Sequence, residues 1–189
     1  MDIKIYRTFA DILEYPSLLL LEKARECLAS LVSCHGPAAN LMKEFAFFLE
    51  QTPLSQMEEI YTRTFDLQAI CIPYVGYHLF GEDHRRAMFM AELKKCFRRN
   101  NFSPGNELPD HLGVLLRFLA RENDPGEREE LIQMCLRPAL FQMVQSFGEE
   151  NHPYRAVLQA LLLMFQEKPG PKVDLGTPTI KMGGLPYGR

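Results

Sequence analysis

The sequence predicts an all-α fold on three observations. Apolar residues recur at helical spacing along most of its 189 residues, Pro, Gly and capping residues punctuate that pattern at short intervals, and no stretch alternates like a half-buried strand. The expected architecture is a single-domain helical bundle of about eight or nine helices over residues 1–168. Residues 169–189 are expected to form an extended Pro/Gly-rich tail, because nine of those 21 residues are Pro or Gly and cannot sustain a helix.

The elements follow in order. The first helix carries Ile5, Phe9, Ile12 and Leu13 on one stripe and stops at Pro16. Ser17 is placed to cap the second, striped by Leu21, Ala24, Leu28 and Leu31, and Gly36 with Pro37 separates it from a third bearing Leu41, Phe45, Phe48 and Leu49. Ser55 and Glu58 have capping-box spacing and open a fourth helix near residues 55–66, with Met57, Ile60, Tyr61 and Phe65 on its apolar face. From Asp66 to Gly81 the pattern lapses into a long loop rich in aromatics: Tyr74, Tyr77 and Phe80. Helical spacing resumes with Ala87, Met90, Leu93 and Phe97 and ends at Asn100–Asn101. Pro109, a residue favoured at the first helical position, starts a helix to about Glu122 that is apolar on most sides and therefore central. Asp124, Pro125 and Glu127 start a further helix that Pro138 divides in two, and Pro153 opens the last, which runs to about Gln166.

Composition bounds the function. Hydrophobic residues at 47% and charged residues at 24% describe an ordinary globular chain, and a net charge of −3 exerts no global pull toward nucleic acid or anionic membrane. The first 16 residues carry Asp2, Asp11 and Glu14 and lack the apolar run and cleavage site of a secretory signal, so the chain is expected in the cytoplasm. The longest apolar stretches, Ser17–Leu21 and Ala156–Phe165, fall short of the ~20 residues that cross a bilayer. Five cysteines (Cys27, Cys34, Cys71, Cys96 and Cys135) without a Cys-x-x-Cys spacing read as buried, reduced thiols. No phosphate-binding loop, His-Glu-x-x-His or Gly-x-Ser-x-Gly motif occurs, and the five histidines form no i, i+4 pair, so neither a metal site nor a catalytic centre is expected.

Three local features remain. Arg85, Arg86, Lys94, Lys95, Arg98 and Arg99 stand against Glu92 alone; they form either a solvated helix face or, in the alternative of a nucleic-acid-binding regulator, a phosphate-contacting one. Residues 122–150 reverse the balance, with seven acids against Arg128 and Arg137, and read as a plain acidic surface or a receiver of basic peptide. In Glu107-Leu108-Pro109-Asp110-His111-Leu112 the first helical turn places an ionisable Asp and His at the entry of an apolar helix. Asp110 suits a helix N-terminus electrostatically, and His111 is either a satisfied buried imidazole or a donor and acceptor for something that docks. A hydrolase with His111 as base ranks lowest, because no activated Ser or Cys accompanies it.

Two segments carry a family resemblance: Tyr61 to Glu82 (YTRTFDLQAICIPYVGYHLFGE) and Glu107 to Ala120 (ELPDHLGVLLRFLA), the second with a Glu-x-Pro-Asp-His signature. They resemble the nitrate reductase delta-subunit family (NarJ/TorD type), the cytoplasmic assembly chaperones of molybdenum-containing reductases, and look more like its nitrate-reductase branch than its trimethylamine-oxide or dimethyl-sulfoxide branches. The resemblance implies a non-enzymatic all-α chaperone that binds the apo catalytic subunit of a molybdoenzyme through that subunit's N-terminal segment and holds it for cofactor insertion. In the family those N-termini are twin-arginine signals or their remnants. The implied client-peptide site is Asp110 and His111 as polar anchors, with Pro109 and Glu107 beside them and Tyr74, Tyr77, Phe80 and Leu115 as apolar wall. The molybdenum cofactor would belong to the client, so the chain is expected to carry none. It is expected to be a monomer, with a helix-swapped dimer as the alternative, and to bind neither nucleic acid nor membrane.

Overall fold

A computed structural model describes residues 3–32, 35–149 and 151–166. Cys34 and the expected tail at 169–189 lie outside the described residues. Ten α-helical segments follow one another: α1 (Lys4–Ile12), α2 (Leu20–Val32), α3 (Gly36–Gln51), α4 (Leu54–Phe65), α5 (Val75–Phe80), α6 (His84–Arg99), α7 (Leu112–Leu119), α8 (Pro125–Leu131), α9 (Arg137–Gln145) and α10 (Pro153–Gln166). A π-helical turn, Ile132–Leu136, joins α8 to α9. No strand forms among the described residues; their one isolated β-bridge pairs Tyr74 with His111. The all-α bundle is therefore observed.

One face of each helix builds the core. α10 packs on α3 and α9, α2 on α3 and α1, and α1 on α7. As the sequence suggests, α7 is central: Leu112, Val114, Leu115, Leu116, Phe118 and Leu119 are all buried. Burying each such side chain contributes about 1.5–3 kcal/mol, which is why a helix of only eight residues is held in place despite its poor intrinsic stability. Two aromatic clusters fix the remaining geometry. Tyr154 contacts Phe45, Tyr61 and Phe65 with ring centroids 5.0–5.8 Å apart, and Phe97, Phe102 and Phe118 form a triangle with centroids 4.9–5.4 Å apart.

Several expectations need correction. The Ser55–Glu58 capping box does not form: α4 starts from Pro53 with no side-chain cap, and Ser55 is exposed inside the helix. The aromatic loop is not wholly irregular, because Val75–Phe80 closes into α5, ended by Gly81 at φ +65°, a conformation in which a Cβ would be strained. The buried stripe of α6 is Phe89, Leu93, Cys96 and Phe97, whereas Ala87 is exposed. Pro109 does not open a helix; α7 begins three residues later, so Asp110 lies outside its first turn.

Other punctuation acts largely as expected. Asp124 Oδ1 accepts from the N–H groups of Gly126 and Glu127 at the start of α8, whereas Ser17 Oγ accepts from the Leu19 N–H in the turn before α2 rather than within the helix. Asn101, at φ +49°, turns the chain away after α6. The run from Asp124 is divided as expected into α8 and α9, but by a π-helical turn rather than a break, with Pro138 in the first turn of α9. In a regular α-helix its ring would clash with the carbonyl of Met134, and the turn just before it is widened so that the Arg137 N–H donates to Ile132. The four cysteines among the described residues are free and buried, and burial pushes the Cys27, Cys71 and Cys135 thiols up to about 12.

Phe118→Ala is expected to lower the unfolding free energy by about 3–5 kcal/mol in urea titration, because it removes one buried corner of an aromatic triangle. Ser55→Ala, which removes no cap, is expected to stay within about 0.5 kcal/mol of the parent.

Candidate functional site

The two motif segments, distant in sequence, meet at one end of the bundle. After α4 the Ile70 and Cys71 N–H groups donate back to Arg63 and Thr64, which brings Pro73 alongside Asp110. There the Leu112 N–H donates to the Pro73 carbonyl at 2.9 Å and the Val75 N–H to the Asp110 carbonyl at 2.8 Å, an antiparallel bridge that stitches the segments into a seam. His78 secures the same loop through Nε2, 2.8 Å from the Ile72 carbonyl, and burial holds its pKa below the ordinary value.

Beneath the seam lies a buried ion pair. Asp110 is 0% exposed, and its Oδ2 accepts from Arg86 Nε at 2.8 Å while its Oδ1 has no hydrogen-bond partner. Asp83 caps α6 and so sets the phase that points Arg86 inward. The Arg86 guanidinium also lies over the Tyr74 ring, 5.2 Å from its centroid. Gly76 passes so close that a Cβ there would stand 2.6 Å from Asp110 Oδ2, which is the reason for a glycine at that point of α5.

Above the pair, His111 occupies the N-cap of α7 without capping it, and its ring meets Tyr74 edge-on at 5.4 Å. A Cβ at Gly113 would lie 3.3 Å from the imidazole, so the bare backbone makes room for the ring. His111 Nδ1 is buried without a hydrogen-bond partner, and burial lowers the imidazole pKa against the opposing fields of Glu107, Asp110 and Glu14; Arg117, which pairs with Glu14, lowers it further. Glu107 is exposed near Tyr74, whose phenol pKa is raised chiefly by burial and further by the Glu107 charge.

Six of the eight expected site residues come together here: Glu107, Tyr74 and His111 on the surface of the seam, Pro109 and Asp110 beneath it, and Tyr77 on the adjoining α5. Phe80 ends α5 against Phe89, with the rings 5.6 Å apart. Two residues face inward. Leu115 is 0% exposed and belongs to the core, and Asp110 is 0% exposed with Oδ2 on Arg86. The basic run is largely paired: Arg85 with Asp83, Arg86 with Asp110, Lys95 with Glu92 and Arg99 with Glu127, which favours the solvated-face reading.

Sequence reasoning missed a flank beside the seam. Three adjoining grooves of about 360, 530 and 410 Å³ run from Phe47 and Phe48 past Ile60 and Leu67 to Tyr15, the first two sharing His152 and Pro153 and the last two Arg63 and Leu67. Phe47 is 61% and Leu67 70% exposed. Ile70 lines the middle groove and lies three residues before Pro73, so the flank adjoins the seam, and at its far end Tyr15 meets Tyr61 edge-on at 5.4 Å. Phe47 and Phe48 next to buried Phe45 was the available signal, since three phenylalanines in four positions cannot share one helical face.

The class defined here is an all-α domain whose two motif segments build a half-buried polar and aromatic seam at one end. The sequence profile described as "Nitrate reductase delta subunit" matches residues 35–150, which include both segments, and the chain belongs to that family. It is also 29% identical over 158 residues to the nitrate reductase-like protein NarX from two strains of Mycobacterium tuberculosis, a stretch covering 83% of this chain and 24% of those relatives. The chain thus spans about a quarter of the length of the curated relatives it matches.

Arg86→Ala strands a buried carboxylate and is expected to cost about 3–5 kcal/mol of stability, against less than about 1 kcal/mol for Arg85→Ala at its exposed ion pair, both read by denaturant unfolding. Because folding lowers the pKa of His78 and His111 below 6.5, the unfolded chain binds more protons as pH falls past that value. Stability present at neutral pH is therefore lost on acidification. The melting temperature should drop between pH 7 and pH 5, and less steeply in His78→Gln.

Proposed function

We propose that this chain is an assembly chaperone that binds the apo catalytic subunit of a molybdenum-containing nitrate reductase through its N-terminal segment and holds it until the molybdenum cofactor is inserted. The observation that carries this reading is the family match across 35–150, which spans both segments of the seam. A likeness to a protein named as nitrate reductase-like agrees with it. The chain acts by binding, with no catalytic step and with the molybdenum cofactor belonging to the client, as a monomer in the cytoplasm. No helix among the described residues is long and apolar enough to cross a membrane, which accords with that setting.

The chemistry supports an amphipathic, basic peptide as ligand. Glu107 is an exposed carboxylate at the seam, and Glu58 and Glu59 line the groove at Tyr15, so the arginines of a twin-arginine segment would meet negative charge there. Its apolar stripe would lie on Tyr77, Phe80 and the flank carrying Leu67 and Phe47. His111 is half-buried at the surface of the seam, where its ring would contact a docked peptide. Pro109 and Asp110 act indirectly, by holding the seam in register through Arg86.

Calorimetric titration with a synthetic N-terminal peptide of the reductase's catalytic subunit is expected to show saturable binding that a scrambled peptide lacks. His111→Ala should weaken it about tenfold, equivalent to about 1.4 kcal/mol, with the helical circular dichroism unchanged. Glu107→Gln should reduce both affinity and its salt dependence. Equal binding of native and scrambled peptides, together with failure to co-purify with the co-expressed apo-subunit, would overturn the proposal.

A further inference from the structure

A second cluster, separate from the seam, forms where the end of α6, the segment joining α7 to α8, and the first turn of α8 converge. Cys96 Sγ and one carboxylate oxygen from each of Glu122 and Glu127 lie within 4.8 Å of one another, with Cys96 and Glu122 buried and Glu127 half-buried. Glu122 is the unusual member. It is 2% exposed; Oε1 accepts from the Asp124 N–H at 2.9 Å, whereas Oε2 is sealed from solvent and has no hydrogen-bond partner. A buried carboxylate oxygen without a donor carries an uncompensated desolvation cost, which a cation at this spot would remove. Arg99 stands at the rim, 3.6 Å from Glu127 and half exposed, beyond hydrogen-bond distance.

We propose that Cys96, Glu122 and Glu127 form a binding site for a divalent transition metal of the zinc class, with a fourth position open to water. The donor set decides the class. A thiolate selects against magnesium and calcium, and one sulfur with two carboxylate oxygens is within the zinc repertoire. The charges also balance: a thiolate and two carboxylates against a divalent ion leave one negative charge, which Arg99 neutralises from outside the ligand shell. Zinc–ligand bonds of about 2.0–2.3 Å require ligand atoms roughly 3.3–3.6 Å apart, so the cluster must close by about 1 Å. Glu127, on a half-exposed side chain, can make that movement. On binding, the Cys96 S–H bond breaks, sulfur bonds the metal, and the proton leaves to solvent; no oxidation change is involved.

The site would tie α6 to the start of α8. Because α6 also carries Arg86, the metal would brace the helix that holds the seam from the other end.

The test is titration of the full chain, in a Cys34→Ser background, with cobalt(II) as spectroscopic probe followed by zinc. One equivalent of cobalt is expected to produce a near-ultraviolet thiolate-to-metal charge-transfer band that zinc abolishes, and zinc is expected to raise the melting temperature. Cys96→Ser should eliminate the band and the thermal shift. Glu127→Gln, a partly exposed change that leaves the core untouched, should weaken binding at least tenfold even if Cys96→Ser fails to fold. Absence of the band, its persistence in Cys96→Ser, or undiminished affinity in Glu127→Gln would overturn the proposal and leave the cluster as an ion pair with Arg99.

Discussion

The buried Arg86–Asp110 ion pair is the constraint on which this end of the molecule depends. Asp110 has no access to solvent, and one of its oxygens relies on a single guanidinium for its hydrogen bond. Desolvating two charges is expensive, and their attraction repays it only where the geometry is held firmly. Three separate elements hold it: α6 delivers Arg86, α5 leaves the gap at Gly76, and the β-bridge pins the Asp110 backbone to Val75. Replacing the pair by apolar side chains would cost little in stability. What it contributes instead is register, since only one alignment of the two motif segments brings the charges together.

That register determines what the surface presents. Tyr74 is held between Arg86 on one side and His111 on the other, and its phenol feels the charge of Glu107 from outside. The residues of the motif therefore divide by depth rather than by sequence order. Pro109 and Asp110 organise the seam from below, whereas Glu107 and His111 remain available above. The signature is in this sense a folding motif, and on the proposed reading a substitution at Asp110 would act on recognition through the fold.

The rest of the core supplies rigidity. The aromatic cluster around Tyr154 joins α3, α4 and α10, and the triangle of Phe97, Phe102 and Phe118 joins α6 to α7, so the elements flanking the seam are each anchored by rings. Between them the apolar flank around Phe47 and Leu67 stays open, giving a rigid frame with an adaptable apolar face beside a polar seam. A basic amphipathic segment complements that combination, which is the physical basis of the chaperone reading for this member of the nitrate reductase delta-subunit family.

Helical class, the approximate extent of most helices, the central position of α7 and the Asp124 cap were all legible in the sequence, because each rests on local chemistry: apolar period, missing N–H groups and short-range side-chain acceptors. Where local cues competed, tertiary packing decided. Ser55 and Glu58 had the spacing of a box, but the chain entered α4 one residue earlier. Pro109 resembled a helix start, but the chain turns there, with the His111 N–H donating to the Leu108 carbonyl, and the bridge then pairs His111 with Tyr74. Arg86 was in principle visible, since it shares a helical face with Phe89, Leu93 and Phe97, yet a stripe phased on Ala87 and Met90 concealed it. Its pairing with Asp110, 24 residues away, and the convergence of Cys96 with Glu122 and Glu127, leave no mark in sequence spacing. Local propensity depends on neighbours along the chain, while burial of charge and the meeting of ligands depend on which helices lie side by side, and only the folded packing sets that.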